Sequence, residues 1–463
     1  MSDDASPKRE AGFGALLFVV ALVPRLWAAL AWAGEPVWDG HYYDFGARRI
    51  AAGLGYSDDR PMPGGHLAWH PWCHYPVGYS GMLALVYRAL GAGHAAAAVA
   101  NALVGAALAV VTWALARRAL SERRARAAGL VVALHPGLVL YAALLMTEPL
   151  AALLTLFAFW LAVRDSRPWR GLTAGALGLG IAALVRPQAL LCAPFLALVT
   201  PGRRTRALAA VVACGVALLP VLPWTVRNCR VMDGCALVST NAGWNLAIGA
   251  FPRATGRFET LRSSDGCRDV TGQVQQDRCW LDYGAKQVLA DPLRWLSLVP
   301  AKLGYTFDHE SFAVEYLHEA RPDSWPEPKR ERARGVTTLV HRVLLAAAAL
   351  GGVAFPAARR QRRDARVQAA LLAAVAAIGA LAFVGDSPAF WPLAVAAAVV
   401  PCIPLPGRPD APPAVLLCVA LLATTIFTHA VFFGEDRYHV VVTPVLALLA
   451  AAALRRPRDT VPA

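Results

Sequence analysis

Two carboxylates, four arginines and a run of aromatic residues stand where an otherwise apolar chain turns polar, the equipment for acid–base chemistry at a membrane face. Asp39 opens the set, in Val37-Trp38-Asp39-Gly40-His41-Tyr42-Tyr43-Asp44, a few residues beyond an apolar run. A carboxylate in a partly desolvated pocket can take the proton of an incoming hydroxyl, the general-base role. An ionisable group so close to a bilayer is expensive unless it has a task or a partner. The same residue reads equally well as the cap of an amphipathic helix running to Ala52, in which Asp44 would pair with Arg48 one turn on. Glu148, in Thr147-Glu148-Pro149, is the second acid. Thr147 as cap and Pro149 close behind mark a helix start; Glu148 is also placed to face Asp39 across one cavity, as a metal ligand or an orienting group. The two roles are compatible.

The arginines are Arg25, Arg186 in Val185-Arg186-Pro187-Gln188, Arg227 in Pro223-Trp224-Thr225-Val226-Arg227-Asn228, and Arg437 in Glu435-Asp436-Arg437-Tyr438-His439. Snorkelling from a span end is a sufficient account of each. A guanidinium also grips phosphate oxygens through a bidentate fork, so a lipid phosphate at that level would call for such groups. Arg437 and Arg186 are the leading phosphate contacts, ahead of Arg25. His66, His70, Cys73 and His74 are metal-ligand types, but their spacing is irregular and Pro71 interrupts any helix that would align them. Imidazole and aromatic packing with Trp69, Trp72 and Tyr75 is the plainer account. His309, Glu310, His318 and Glu319 form a second, weaker group of acids and imidazoles.

The elements that must position these residues follow from composition. The chain has 463 residues, 57% hydrophobic and 16% charged, and a mean hydropathy of +0.44, which places it among polytopic membrane proteins. A net charge of +14 would suit a nucleic-acid partner, but the basic residues lie in short turns between apolar runs, where the positive-inside rule accounts for them. A hydrocarbon core of roughly 30 Å needs about 20 apolar residues per span. The expected spans are 12–33, 94–116, 127–146, 149–163, 171–185, 187–200, 207–225, 335–356, 367–384, 388–405, 413–432 and 439–454. The fifth and sixth are short, and Pro187 between them reads equally as the break in one helix, so the expected count is ten to twelve.

With twelve spans, every arginine cluster falls on the side of the N-terminus: Arg117 to Arg126, Arg164 to Arg170, Arg203 to Arg206, Arg359 to Arg366 and Arg455 to Arg458. That side is then cytoplasmic. The apolar run after Lys8-Arg9 is too long for a signal-peptide core and reads as a retained first span. The expected organisation is a cytoplasmic N-terminus and first span (1–34), a first outer loop with the acid and amphipathic helices (35–93), spans 2–7 (94–226), a large outer loop (227–334) and C-terminal spans (335–463). The two loops would form a small outer domain, with Trp244, Phe251, Phe258, Trp280, Tyr283, Trp295 and Tyr305 as apolar anchors. Cys73, Cys229, Cys235, Cys267 and Cys279 lie in those loops, an oxidising place if the outer side is a bacterial periplasm. Pairing Cys229 with Cys235 and Cys267 with Cys279 is the simplest of three connectivities and leaves Cys73 over.

The assembled motifs resemble those of the GT-C superfamily of polyprenyl-phosphate-sugar-dependent glycosyltransferases, in particular the bacterial family related to protein O-mannosyltransferases and lipid A aminoarabinose transferases. The resembling residues are Asp39 with Tyr42-Tyr43, Gly53-Leu54-Gly55-Tyr56, Tyr75-Pro76-Val77-Gly78-Tyr79, Thr147-Glu148-Pro149, Arg186-Pro187 and Pro223 to Asn228. They continue with Ser239-Thr240-Asn241-Ala242-Gly243-Trp244-Asn245-Leu246, Ala254-Thr255-Gly256 and Asp436-Arg437-Tyr438 before Pro444. The resemblance implies an all-α GT-C-type membrane fold and an inverting sugar transfer from a polyprenyl-phosphate-linked donor to an acceptor hydroxyl, on a lipid, a glycan or a protein, at the periplasmic face of the bacterial inner membrane. Asp39 would be the base, with Glu148 as second acid. Arg186, Arg227 and Arg437 would hold the donor phosphate, and Tyr42, Tyr43, Tyr75, Asn241, Trp244, Asn245 and Tyr438 would line the substrate pocket. Close relatives often carry an Asp-Glu pair in the first loop, where this chain has Gly40 after Asp39. Metal dependence varies among such enzymes, so a divalent metal stays open, with His66, His70 and His74 as candidates from the sequence.

Two other classes fit parts of the pattern. A flippase for a lipid-linked sugar should show paired halves or polar residues near the bilayer midplane, and the acids here gather at one face with no repeat. A glycan ligase drawing on a pyrophosphate carrier would share the arginines.

Overall fold

The structure is a computed structural model that describes residues 7–62, 64–353, 362–385, 389–403 and 411–454. The described residues are overwhelmingly helical, with a single two-stranded hairpin. Five helices are long and apolar enough to cross a membrane: Glu10–Trp32, His94–Ala116, Glu327–Val353, Arg366–Val384 and Pro413–Val431. Two bent pairs bring the number to seven, Glu122–Leu134 with Pro136–Ala143 and Arg203–Leu218 with Leu222–Val231, each turned by 52°. Shorter helical segments stand where the other spans are expected: Glu148–Arg164, Pro168–Ala183, Pro187–Val199, Trp391–Cys402 and Tyr438–Ala452. The chain is thus a predominantly helical, multi-pass membrane protein. Pro187 and Pro194 hold the segment 187–199 as a 3₁₀-type helix, which lengthens it relative to an α-helix of the same residue count. The expected clusters around Arg359 and Arg360 and around Arg455, Arg456 and Arg458 lie outside the described residues.

The first bend shows why Arg25 is where it is. Pro136 offers no N–H and pushes His135 out of the helical region, so the carbonyls ahead of it lose their partners. Arg25, fully buried, donates Nη1 to Ala133 O at 2.5 Å and Nη2 to Val132 O at 2.7 Å. A freed carbonyl inside hydrocarbon must be satisfied from within the protein. Arg25 therefore caps a broken span and lies far from any phosphate role.

The bundle has two distinct ends. Helix Glu148–Arg164 starts beside Arg186 and finishes at a recess lined by Arg118, Val163, Asp165, Pro168, Val199 and Pro413. Helix Pro413–Val431 runs the other way, from that recess to Thr428 and His429. The basic turns after 116, 163 and 200 thus meet at one end, and the acids gather at the other.

At the acid end the first loop forms helix Asp39–Ala51, strands Ser57–Pro61 and Leu67–Pro71 paired antiparallel, and helix Val77–Leu90. The second loop forms helices Ala242–Ala250, Gln273–Ala290, Val299–Phe307 and Phe312–Ala320. It packs around Trp280, Phe251, Ile248 and Phe433, all buried, and disulfides join Cys229 to Cys235 and Cys267 to Cys279. Cys73 is free and buried, its backbone carbonyl accepting from Thr240 N at 3.0 Å, so the two loops are stitched together.

Candidate active site

The acid end opens into a cleft of about 430 Å³. Asp39 sits in it because of an unusual entry into its helix. Trp38 is the one non-glycine with positive φ (50°) among the described residues, a conformation that persists only when the surroundings hold it. Its ring packs on Phe312 and Tyr316, and the Tyr316 hydroxyl accepts from Val37 N at 3.2 Å. Gly40 then passes so close to Tyr316 that a Cβ there would collide with the hydroxyl and stand 3.1 Å from Leu145 O. There is no room for a second acid after Asp39, which is the physical reason for the glycine at that position.

Asp39 accepts from the Tyr75 hydroxyl at 2.7 Å through Oδ1 and from Arg437 Nη1 at 2.5 Å through Oδ2. Burial pushes its carboxyl up, but the Arg437 charge, the hydrogen bonds from Tyr75 and Arg437, and His74 together hold it below its ordinary value. Arg437 in turn lies 2.5 Å from Glu435 through Nε and stacks over Phe312 and Tyr438. Burial, with Asp436, Asp39 and Glu148 nearby, outweighs Arg437 at Glu435 and pushes that carboxyl up to about 7.

Across the cleft, Glu148 is buried at the start of its helix. Its Oε1 accepts from Arg186 Nη1 at 2.7 Å, and Arg186 also donates to Thr147 Oγ1 at 3.1 Å and lies over the Tyr438 ring at 5.3 Å. Glu148 Oε2 is buried with no hydrogen-bond partner among the described residues, an exception to the pairing that buried polar atoms usually find. Tyr43, His74, Tyr75, Asn241, Trp244, Asn245 and Tyr438 complete the wall toward the loops. Toward the spans the lining turns to Leu191, Phe432 and Phe433, with Thr428 and His429 from helix Pro413–Val431.

Most residues singled out in the sequence therefore meet in one place, and several do not. Arg227 donates to Tyr56 O at 2.7 Å and Trp72 O at 2.9 Å and stacks on Trp224. It clamps the base of the hairpin, and its donors are spent on backbone carbonyls rather than presented to the cleft. Tyr42 is exposed and packs on Trp72 and Tyr75 from outside. His66, His70 and His74 are not brought together: His70 pairs across the hairpin with Asp58 at 2.6 Å, His66 precedes its strand, and His74 turns into the cleft against Trp244. Sequence reasoning passed over Glu435, Gln188 and His429. A histidine following Thr424, Thr425 and Thr428 inside an apolar run was the available signal for the last, which stacks on Tyr438 at 4.1 Å.

Fold and site together define a helical multi-pass membrane protein with paired acid and guanidinium groups in a cleft at one end. Residues 74–226 match the family model described as dolichyl-phosphate-mannose-protein mannosyltransferase, less than half of the chain. No curated protein matches. Among solved structures, the chain is similar to the archaeal oligosaccharyltransferase AglB from Archaeoglobus fulgidus in complex with an inhibitory peptide and a dolichol-phosphate. Identity is 13% and TM-score 0.46, over 95% of this chain and 50% of that one. It is also similar to ArnT from Cupriavidus metallidurans bound to undecaprenyl phosphate, at 17% identity and TM-score 0.37, over 96% of this chain and 78% of that one. The chain spans about half the length of the archaeal protein.

Proposed function

We propose that this protein is a glycosyltransferase that moves a sugar from a polyprenyl-phosphate carrier to an acceptor hydroxyl, with inversion, in the cleft around Asp39, and that the cleft faces the periplasm from the bacterial inner membrane. The observation that carries the reading is the meeting of two carboxylates, Asp39 and Glu148, with two guanidinium groups in a cleft that is polar toward the loops and apolar toward the spans. A lipid-linked phosphate needs that combination: hydrocarbon on one side and bidentate donors at headgroup level. The family-model match over 74–226 covers Tyr75, Glu148 and Arg186 and agrees with it.

In the reaction, the acceptor oxygen attacks the anomeric carbon while Asp39 takes the hydroxyl proton. The bond from that carbon to the phosphate oxygen breaks, and the electron pair leaves on the lipid phosphate. Arg186 and Arg437 neutralise the charge that develops there, stabilisation of the oxyanion type. Glu148 holds Arg186 in place.

Sugar release from polyprenyl-monophosphate donors by purified protein in detergent with lipid tests the reading, with Asp39→Asn beside the wild type. Release that disappears in the variant while donor binding persists is the expected result. A donor that crosses proteoliposome membranes without turnover, equally in both proteins, would replace the transferase with a flippase. Turnover of pyrophosphate carriers only would replace it with a ligase.

A further inference from the structure

His439, two residues beyond Arg437, faces a further acid that the proposed reaction does not use. Glu310 is buried in the turn between helices Val299–Phe307 and Phe312–Ala320, and His341 and His439 are buried against it. His439 Nδ1 lies 2.7 Å from Thr306 O, and His341 Nε2 lies 2.9 Å from Phe307 O. A backbone carbonyl only accepts, so each of those ring nitrogens carries the hydrogen. In a neutral imidazole the other nitrogen is then a bare lone pair. Those lone pairs point at the carboxylate: His439 Nε2 at 2.9 Å and His341 Nδ1 at 3.8 Å from Glu310 Oε2. The two rings stack with centroids 3.8 Å apart. A third imidazole, His135, brings its Nδ1 to 3.8 Å from Oε1, but that nitrogen accepts from Leu138 N at 3.4 Å and its lone pair is engaged.

Lone pairs converging on a buried carboxylate repel unless a cation sits among them. One proton on His439 would satisfy one contact and leave His341 Nδ1 and Glu310 Oε1 without partners, both buried. A divalent ion would take up the lone pairs of both rings. The three donor atoms lie within 4.8 Å of one another, and the distances of 2.9 and 3.8 Å from Oε2 bracket the edge of about 3.3 Å expected between ligands in a tetrahedral zinc shell. Histidines whose far nitrogen donates to a backbone carbonyl have the orientation and tautomer that metal ligands require. Two imidazoles with one carboxylate suit zinc rather than magnesium or calcium, which take oxygen ligands.

We propose that Glu310, His341 and His439 bind one zinc-type divalent ion, and that this ion positions Arg437 without touching substrate. Asp436 Oδ2 accepts from Ser311 N, from Ser311 Oγ at 2.9 Å and from Phe312 N at 2.9 Å, so the turn that holds Glu310 is laced to the segment that holds Arg437 and His439. Phe312 also carries the Arg437 guanidinium at 5.1 Å. An ion at Glu310 locks both sides of that lacing.

The test needs no sugar donor. Purified full-length protein in detergent is equilibrated with zinc, desalted and assayed for bound metal. The expected content is about one ion per chain, falling below about a tenth in Glu310→Gln and His341→Gln and unchanged in Asp39→Asn. Should either of the first two variants fail to fold, cobalt loaded into the wild type gives a second readout: visible bands of a tetrahedral nitrogen and oxygen shell, bleached by one equivalent of zinc. Wild-type protein that retains no metal overturns the proposal. So does metal that survives Glu310→Gln but is lost in Asp39→Asn, which would move the ion to the cleft.

Discussion

The cleft around Asp39 and the pocket around Glu310 are built from similar parts, an acid facing bases, yet they are suited to opposite tasks. Asp39 and Glu148 meet guanidiniums, which stay charged and keep spare donors for a phosphate. Glu310 meets imidazoles, whose remaining lone pairs suit an ion. Asp39 is partly open to the cleft, while Glu310 is sealed. One short segment serves both: Arg437 reaches Asp39, and His439, two residues on, reaches Glu310. The choice of base, more than the choice of acid, separates a site that can turn over from one that can only hold.

The sharpest way to break the comparison is at the two acids. Asp39→Asn should lower kcat by about 10²–10⁴, the usual worth of a positioned base, with donor affinity kept, as read by single-turnover sugar release and a binding assay. Glu310→Gln should instead act on stability. Its thermal midpoint should fall by roughly 5–10 °C and become insensitive to chelator, whereas the midpoint of Asp39→Asn keeps the wild-type chelator shift. If Glu310→Gln abolished turnover at full stability, the two sites would share one task and the division would fail.

Within the cleft, the pair Glu148–Arg186 tests whether the second acid acts through the arginine. Arg186→Gln should cost about 10²–10³ in kcat/KM by removing a donor from the leaving phosphate. Glu148→Gln should cost roughly tenfold, and the double variant little more than Arg186→Gln alone, since coupled residues are not additive. Additive losses would give Glu148 a contact of its own, through Oε2.

The spans and the cleft were legible in the sequence for the same reason. Runs of about 20 apolar residues announce helices, and polar residues at their ends, such as Glu148 and Arg186, must then gather at a membrane face. Arg227 looked like its peers because span-end position says nothing about partners: the carbonyls of Tyr56 and Trp72 that hold it come from a hairpin remote in sequence. Gly40 read as a missing acid, when the constraint was the Tyr316 hydroxyl, which leaves no room for a Cβ. The Glu310 pocket was hidden for a different reason. Its ligands come from a loop and two apolar helices, with Glu310 and His439 separated by 129 residues, and histidines inside apolar helices were absorbed into the expected spans. Glu310 stood out only beside its sequence neighbours His309, His318 and Glu319; His341, near the start of the expected span 335–356, was the further signal, since intramembrane imidazoles are rare without a partner.

The smallest effect expected concerns how Arg437 divides its charge. The Glu435 carboxylate sits 2.5 Å from Arg437 Nε as a charge contact without hydrogen-bond geometry, and competes with any phosphate for the guanidinium's charge. Burial and the neighbouring Asp436, Asp39 and Glu148 raise its carboxyl to about 7 against the pull of Arg437. As pH falls through that value Glu435 takes up a proton and frees Arg437; as pH rises it ionises and reclaims it. Donor KM should therefore rise with pH between 6 and 8, by roughly two- to fivefold, the worth of an ion pair that is partly exposed. Asp39 stays ionised throughout, because its carboxyl is held below the ordinary range, so kcat should stay level. A polyprenyl-phosphate sugar is a phosphodiester with no second ionisation near neutrality, so a slope in KM belongs to the protein. Glu435→Gln should remove the slope and hold KM at its low-pH value. A slope that persists in that variant would place the titrating group elsewhere and leave Arg437 committed to Asp39 alone.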